Sequence, residues 1–289
     1  MPEMPEVESL TRFVHEHVVG RTVERVYPVA VHALKTYDPP VTALEGRTFD
    51  EVTRHGKFLD LRAGELHLVL HLARAGWVRW SEKLAVAPPR PGKGPLALRV
   101  RLGEPDDGAG FDVTEAGSQK HLAVYVVREV REVPGIARLG PDPLSEGFTR
   151  EAFAGLLAGE SRQIKGVLRD QSVIAGIGNA YSDEILHAAR MSPFKLAARL
   201  SEDEVTRIYE AIGTTLGEAV ERARGINLRN LKAEKKSGLR VHGRKGEGCP
   251  VCGDTVREVS FSDSSMQYCP TCQTGGKVLA DRRMSRLLK

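Results

Sequence analysis

Two groups of residues in this 289-residue chain are equipped for chemistry. The first is the start, Met1-Pro2-Glu3-Met4-Pro5-Glu6. Removal of Met1 leaves Pro2 as a secondary amine at the N-terminus, with the Glu3 carboxylate beside it. An α-amino group has a pKa near ~7.7–8, against ~10.4 for lysine, so part of it is unprotonated at neutral pH. Such an amine attacks carbonyl-like carbons and forms Schiff bases. An ordinary processed terminus has the same sequence, so the reading depends on the rest of the chain.

The second group is Cys249-Pro-Val-Cys252 and Cys269-Pro-Thr-Cys272, the only cysteines present. C-x2-C, sixteen residues, C-x2-C is a zinc-ribbon spacing. Four thiolates complete a tetrahedron and leave no open position, which predicts one structural Zn2+. A disulfide pair or a redox C-x-x-C uses the same residues. The polar tail around them offers little core, so the metal is expected to supply much of its folding energy.

The length favours two domains. There is no apolar run long enough to span a membrane and no leader-like apolar segment, so a cytoplasmic location and no membrane partner are expected. Net charge is +4. Its distribution says more: between Arg222 and Lys245 nine bases, among them Lys235, Lys236, Arg240 and Arg244, stand against Glu234 alone. Such a run suits a polyanion, most simply a nucleic-acid backbone. A solvated basic face is the alternative.

These residues need a scaffold. Val7, Leu10, Val14 and Val18 mark one face of a helix over residues 6–18, stopped by Gly20. Leu66, Leu68, Leu70 and Leu72, then Leu96, Leu98, Val100 and Leu102, alternate as in half-buried strands, and residues 121–130 are rich in β-branched side chains. Consecutive strands of this kind predict a β-sandwich. Residues 87–95 read as a surface loop and Gly140-Pro-Asp-Pro-Leu144 as a linker. Helical periodicity follows, with Thr149 and Ser161 as N-cap candidates and a capping box at Ser201–Glu204 that opens a long helix ending at Gly225. A turn at residues 175–179 leads into a helix near Asn179, whose free N–H groups suit a phosphate; a plain connecting turn also fits. A basic loop, the cysteine module and a mobile basic tail with Arg282, Arg283, Arg286 and Lys289 complete the order.

Together these segments resemble the formamidopyrimidine-DNA glycosylase family, the Fpg/Nei group of base-excision repair enzymes, and its Fpg branch in particular. The resemblance rests on Pro2-Glu-Met-Pro-Glu-Val-Glu8, Gly56-Lys57-Phe-Leu59, His71-Leu-Ala-Arg74-Ala-Gly76 against the family's His-Leu-Gly-Met-Ser-Gly, Gly140–Leu144, Ile174–Tyr181 and Val241–Gly246, in order along nearly the whole chain. It implies an α+β fold: an N-terminal helix plus β-sandwich over 2–133, a linker over 134–148, a helix-two-turn-helix domain over 149–240, a zinc-finger hairpin over 241–275 and a basic tail over 276–289. It implies a monomeric glycosylase with lyase activity on damaged double-stranded DNA. Pro2 would attack C1′, Glu3 would move protons at the sugar, and Lys57 would hold a phosphate beside them. Glu6 would line the lesion pocket. His71, Lys165 and Asn179 would bind phosphates, with Arg240, Arg244 and Lys245 adding backbone contacts. The target nucleotide would be flipped out of the stack.

Three departures touch recognition. Arg74 stands where the family has a stack-filling methionine. The Arg-Arg-Phe probe is missing from Thr114–His121. Ser264 occupies the place of an arginine five residues before the third cysteine, and a serine cannot give a bidentate charged contact. The loop between Gly225 and Val241 also reads as short for covering an oxidised guanine. The substrate is therefore left open among oxidised pyrimidines, ring-opened purines, bulky adducts and abasic sites. A catalytically silent DNA-binding relative and a zinc-ribbon adaptor are the rival functions.

Overall fold

The computed structural model describes residues 2–90, 94–103, 108–261 and 264–280. Met1, part of the 87–95 loop, and Arg282, Arg283, Arg286 and Lys289 of the tail lie outside the described residues. The chain forms two compact units. One runs to Leu139 and takes in Asn227–Arg229; the other holds Gly140–Ile226 and residues from Asn230 on.

The first unit opens with helix α1 (Met4–Val18). Its start is a reciprocal box: the Glu3 side chain accepts the Glu6 N–H, and Glu6 Oε2 accepts the Glu3 N–H at 2.8 Å. Val7, Leu10, Val14 and Val18 are buried along one face, as their spacing requires. Eight strands follow: β1 (Val23–Pro28), β2 (Glu51–His55), β3 (Phe58–Ala63), β4 (Leu66–His71), β5 (Gly76–Ser81), β6 (Leu96–Leu102), β7 (Gly110–Glu115) and β8 (Ala123–Val127). They form two antiparallel four-stranded sheets of a sandwich, ordered β1-β6-β7-β5 and β2-β3-β4-β8. In the second sheet Leu59 pairs with Leu70, Leu61 with Leu68 and Ala63 with Leu66, so their side chains share one buried face.

The strands are less half-buried than their alternation predicts. Val69 points the other way from the leucines yet is fully buried, packed with Val127, Val133 and Ile136. Ile136 comes from the short helix α2 (Pro134–Ala137), which covers that face. Arg101, on the polar side of β6, is also fully buried. Its Nε donates to Glu24 at 2.7 Å and its Nη1 to the Leu84 carbonyl at 3.1 Å. A guanidinium goes inside only with such partners.

In the second unit, α3 (Arg150–Leu157) is capped by Thr149, whose hydroxyl accepts the Ala152 N–H. Ser161 is not a cap, because α4 (Ile164–Arg169) starts only after Gln163. Helix α5 (Asn179–Ala188) begins directly after the glycine turn. Helix α6 (Glu202–Ala223) has the expected Ser201–Glu204 box and buries Val205, Ile208, Ile212, Leu216 and Val220 at helical spacing. The basic loop is in part a helix, α7 (Leu231–Gly238). Strands β9 (Arg257–Ser260) and β10 (Ser265–Tyr268) form an antiparallel hairpin, followed by α8 (Pro270–Thr274). The start of the tail is fastened rather than mobile: the Leu279 N–H donates to the Tyr268 hydroxyl at 2.8 Å, and Leu279 packs on Val259, Met266 and Tyr268.

Candidate active site and zinc module

In the first unit, Pro2, Glu3 and Glu6 are all buried at the start of α1. A carboxylate there meets the free N–H groups and the positive end of the helix, which favour negative charge. Helix α1 packs on β2 and β3. One ion pair fixes that docking: Arg54 Nε of β2 donates to Glu8 of α1 at 2.8 Å, and the same guanidinium reaches the Gly56 carbonyl at 3.2 Å. Gly56 and Lys57 form the two-residue turn of the β2–β3 hairpin, where His55 pairs with Phe58. Gly56 has φ +57° and Lys57 does not share the left-handed region, which is the II′ pattern that needs glycine first. The Glu8–Arg54–Gly56 relay thus sets the Lys57 turn against α1. Sequence reasoning missed Glu8 and Arg54, since neither has a distinctive spacing.

His71 ends β4 opposite Phe58, with ring centroids 4.6 Å apart. Burial, with the Lys57 charge adding to it, lowers its pKa from the ordinary 6.5 to about 4. The unfolded chain therefore binds a proton that the folded chain refuses between those values. Stability from this residue is intact above pH 6.5 and falls as pH drops toward 4. The loss is on the order of 2–3 kcal/mol by pH 4.5. Urea midpoints at pH 7 and 4.5 are expected to separate by that much more in the wild type than in His71→Asn. Equal drops in the two proteins would contradict a half-buried His71 that resists protonation.

Arg74 is exposed in the turn that joins β4 to β5. Ala73, next to it, has φ +48°, a left-handed conformation that costs an alanine roughly 1–2 kcal/mol. The turn is closed by the Gly76 N–H on the Leu72 carbonyl at 2.8 Å, and a Cβ on Gly76 would lie 2.3 Å from that oxygen. The Ala116 N–H also reaches the Ala75 carbonyl, so the Arg74 turn adjoins the stretch that lacks the Arg-Arg-Phe probe. That stretch is organised from inside by Glu115, which is buried and accepts the N–H groups of His121 at 2.7 Å and Leu122 at 2.9 Å.

In the second unit Lys165 and Asn179, both read as phosphate ligands, each meet protein partners. Lys165 is buried rather than solvent-facing. Its ammonium donates to Asp183 at 2.6 Å and Ser182 at 2.7 Å, so its position argues for an internal ion pair in place of the phosphate contact. The Asn179 amide donates to the Ser265 carbonyl of the β9–β10 hairpin at 2.7 Å. Asp183 also meets His242 Nδ1 at 2.7 Å and accepts the Gln267 N–H at 3.2 Å. Glu184 accepts the N–H groups of Arg240, Val241 and His242 at 2.7–2.9 Å, holding the segment that enters the cysteine module. A run of Ser-Asp-Glu inside a helix reads as a wet face, so these anchors were not legible.

The basic run is less bare than a window count shows. Arg222 lies near Glu218 and Glu234, Arg224 near Glu221, Arg240 near Glu218, Arg244 near Glu247 and Lys245 near Glu258. Lys235 sits over the Tyr181 ring. All these ion pairs involve exposed basic groups; such pairs are worth little and exchange readily for a phosphate.

The four cysteine sulfurs lie within 4.8 Å of one another. Cys249 and Cys272 are 3.9 Å apart, Cys252 and Cys269 3.3 Å. Bonds of ~2.3 Å in a zinc tetrahedron put sulfurs about 3.8 Å apart, so the donor set fits one Zn2+. Burial pushes the Cys269 thiol up to about 11, so metal uptake has to displace protons.

Comparisons with known proteins match this architecture. Residues 1–117 fit the family model described as the formamidopyrimidine-DNA glycosylase N-terminal domain, and 139–230 its H2TH (helix-two-turn-helix) domain. Residues 246–275 fit the zinc finger found in FPG and IleRS. The formamidopyrimidine-DNA glycosylase of Symbiobacterium thermophilum is 37% identical over 295 residues, covering 98% of this chain and 93% of the relative. The chain belongs to the formamidopyrimidine-DNA glycosylase family. The crystal structure of MutM (Fpg) from Thermus thermophilus is 33% identical with a TM-score of 0.80, covering 96% of this chain and all of that one. An uncharacterized formamidopyrimidine-DNA glycosylase-like protein of Mycobacterium tuberculosis is 63% identical over 151 residues, 52% of this chain and 94% of that protein. Membership makes this an Fpg-type DNA-glycosylase enzyme with a DNA-repair fold, and its four clustered cysteines hold one structural zinc. Among the described residues no helix is long and apolar enough to cross a membrane.

Proposed function

We propose that this Fpg-family enzyme removes a damaged base from double-stranded DNA and then cuts the strand. Pro2, freed of Met1, attacks C1′ through its amine; the base leaves with the glycosidic electron pair, and an iminium joins enzyme to sugar. Glu3 donates to and accepts from the opening sugar ring. Elimination at the abasic sugar then breaks the strand. The observation that carries this reading is the burial of Pro2, Glu3 and Glu6 together at the start of α1 in a chain of this family. Relatives that match the chain along its length have glycosylase names, which favours an active enzyme over a silent DNA binder. A solved MutM structure, 26% identical, holds DNA with carbocyclic 8-oxo-G. Lys57, His71, Asn179, Arg240, Arg244 and Lys245 are assigned to the DNA backbone and Glu6 to the lesion pocket, in a monomer. Duplexes carrying single defined lesions test the proposal: base release with strand cleavage on at least one of them supports it. Binding to all with neither reaction would refute it.

Arg74 is assigned to the space that the flipped nucleotide leaves. It is exposed in a turn closed on both sides, and a guanidinium can stack and hydrogen-bond an orphaned base. Arg74→Ala is expected to slow excision from duplex DNA by at least about tenfold, the effect of ~1.4 kcal/mol. Cleavage at a preformed abasic site in single-stranded DNA, where no stack needs filling, should change little. Equal losses on the two substrates would exclude the wedge.

A further inference from the structure

One buried group beside the zinc module takes no part in the sugar chemistry or the DNA contacts. His187 lies on the last turn of α5 and is 2% exposed. Its Nε2 is 3.2 Å from Cys249 Sγ. Its Nδ1 is buried with no hydrogen-bond partner among the described residues. A neutral imidazole carries a single N–H, on one nitrogen or the other.

The position of that hydrogen follows from the neighbours. On Nδ1 it would be a buried donor with no acceptor, and Nε2 would set a lone pair against a sulfur lone pair. A metal-bound thiolate only accepts. On Nε2 the hydrogen meets the sulfur, and all that is left unpaired is one acceptor lone pair, the lesser cost. We propose that His187 donates an Nε2–H hydrogen bond to the zinc-bound thiolate of Cys249 and is a positioning residue that joins the metal to helix α5.

The bond draws charge from Cys249, which makes that sulfur less basic and a poorer target for electrophiles. It also links the metal directly to the helix that carries Asn179, Asp183 and Glu184. Glu184 holds the chain on its way into the module, and Gln273 ties α8 to the Met191 carbonyl at 3.0 Å. Among these fasteners His187 alone touches a ligand sulfur.

The inference rests on the zinc reading, and the experiments separate the two. Metal analysis of the wild type comes first; a folded protein without metal overturns both. In protein loaded with cadmium-113, NMR should show the Nε2–H tautomer of His187 and scalar coupling from that hydrogen to the metal. The Nδ1–H tautomer, or no coupling in metal-loaded protein, overturns the role of His187 alone. His187→Phe keeps a ring and removes the donor. It should lose zinc to a chromogenic chelator about ten- to a hundredfold faster, with Cys249 alkylated faster than in the wild type. Release within twofold of the wild type would overturn the proposal. If the phenylalanine variant does not fold, the cadmium measurement on the wild type decides.

Discussion

Replacing Glu3 with glutamine is expected to slow base excision by about 10²–10⁴-fold, the usual worth of a general acid–base group. The substitution is chosen so that structure survives. Glu3 accepts the Glu6 N–H at the start of α1, and its own N–H goes to Glu6 Oε2. A glutamine oxygen can still accept at that cap, so helix and burial should stay as they are. What is lost is the negative charge at the helix start, worth about 0.3–1 kcal/mol there, and the capacity to take up and return a proton. Single-turnover excision with thermal unfolding measured alongside gives the test. An enzyme within threefold of the wild type would mean that Glu3 is a cap and nothing more.

Removing the zinc should have the largest structural effect. The module's buried clusters are small: Val241, Val256, Cys249 and Cys269 with Cys272 against them, and Val259, Met266 and Tyr268 in the hairpin. In small zinc modules the metal contributes about 10–16 kcal/mol of apparent binding energy, a large share of what holds such a fold together. Chelation, or Cys269→Ser, is therefore expected to leave amides of β9 and β10 unprotected from hydrogen exchange. The strands of the sandwich in the first unit should keep their protection. Affinity for duplex DNA should fall by more than about tenfold, or ~1.4 kcal/mol. Retained protection at Val259 and Met266 in zinc-free protein would contradict a metal-dependent fold.

Legibility in the sequence followed the range of the interactions. The cysteine module, the Ser201–Glu204 cap, the face of α1 and the alternating strands rest on local spacing, and each is found in the structure. Long-range partners were not legible. Lys165 reads as a surface charge until Asp183, eighteen residues later, is folded against it. Arg101 reads as a solvent-facing strand position until Glu24 and Leu84 surround it. The basic run reads as bare because Glu218, Glu221, Glu247 and Glu258 fall outside its window. His187 gives no signal at all in sequence; its meaning comes from a contact 62 residues away. For the candidate active site, motif order along the chain singled out Pro2, Glu3, Lys57 and His71. The Glu8–Arg54–Gly56 relay that positions the Lys57 turn emerged only from the fold.

The central claim is that the Pro2 amine bonds to C1′ of the damaged nucleotide. Borohydride trapping tests it most directly. The processed enzyme is mixed with duplex DNA containing an abasic site, reduced, digested and mapped by mass spectrometry. The account predicts a stable protein–DNA adduct whose sugar is attached to the peptide beginning at Pro2, and none from protein that retains Met1. A trapped adduct on a lysine such as Lys57, or cleavage with no trapped adduct, would contradict it.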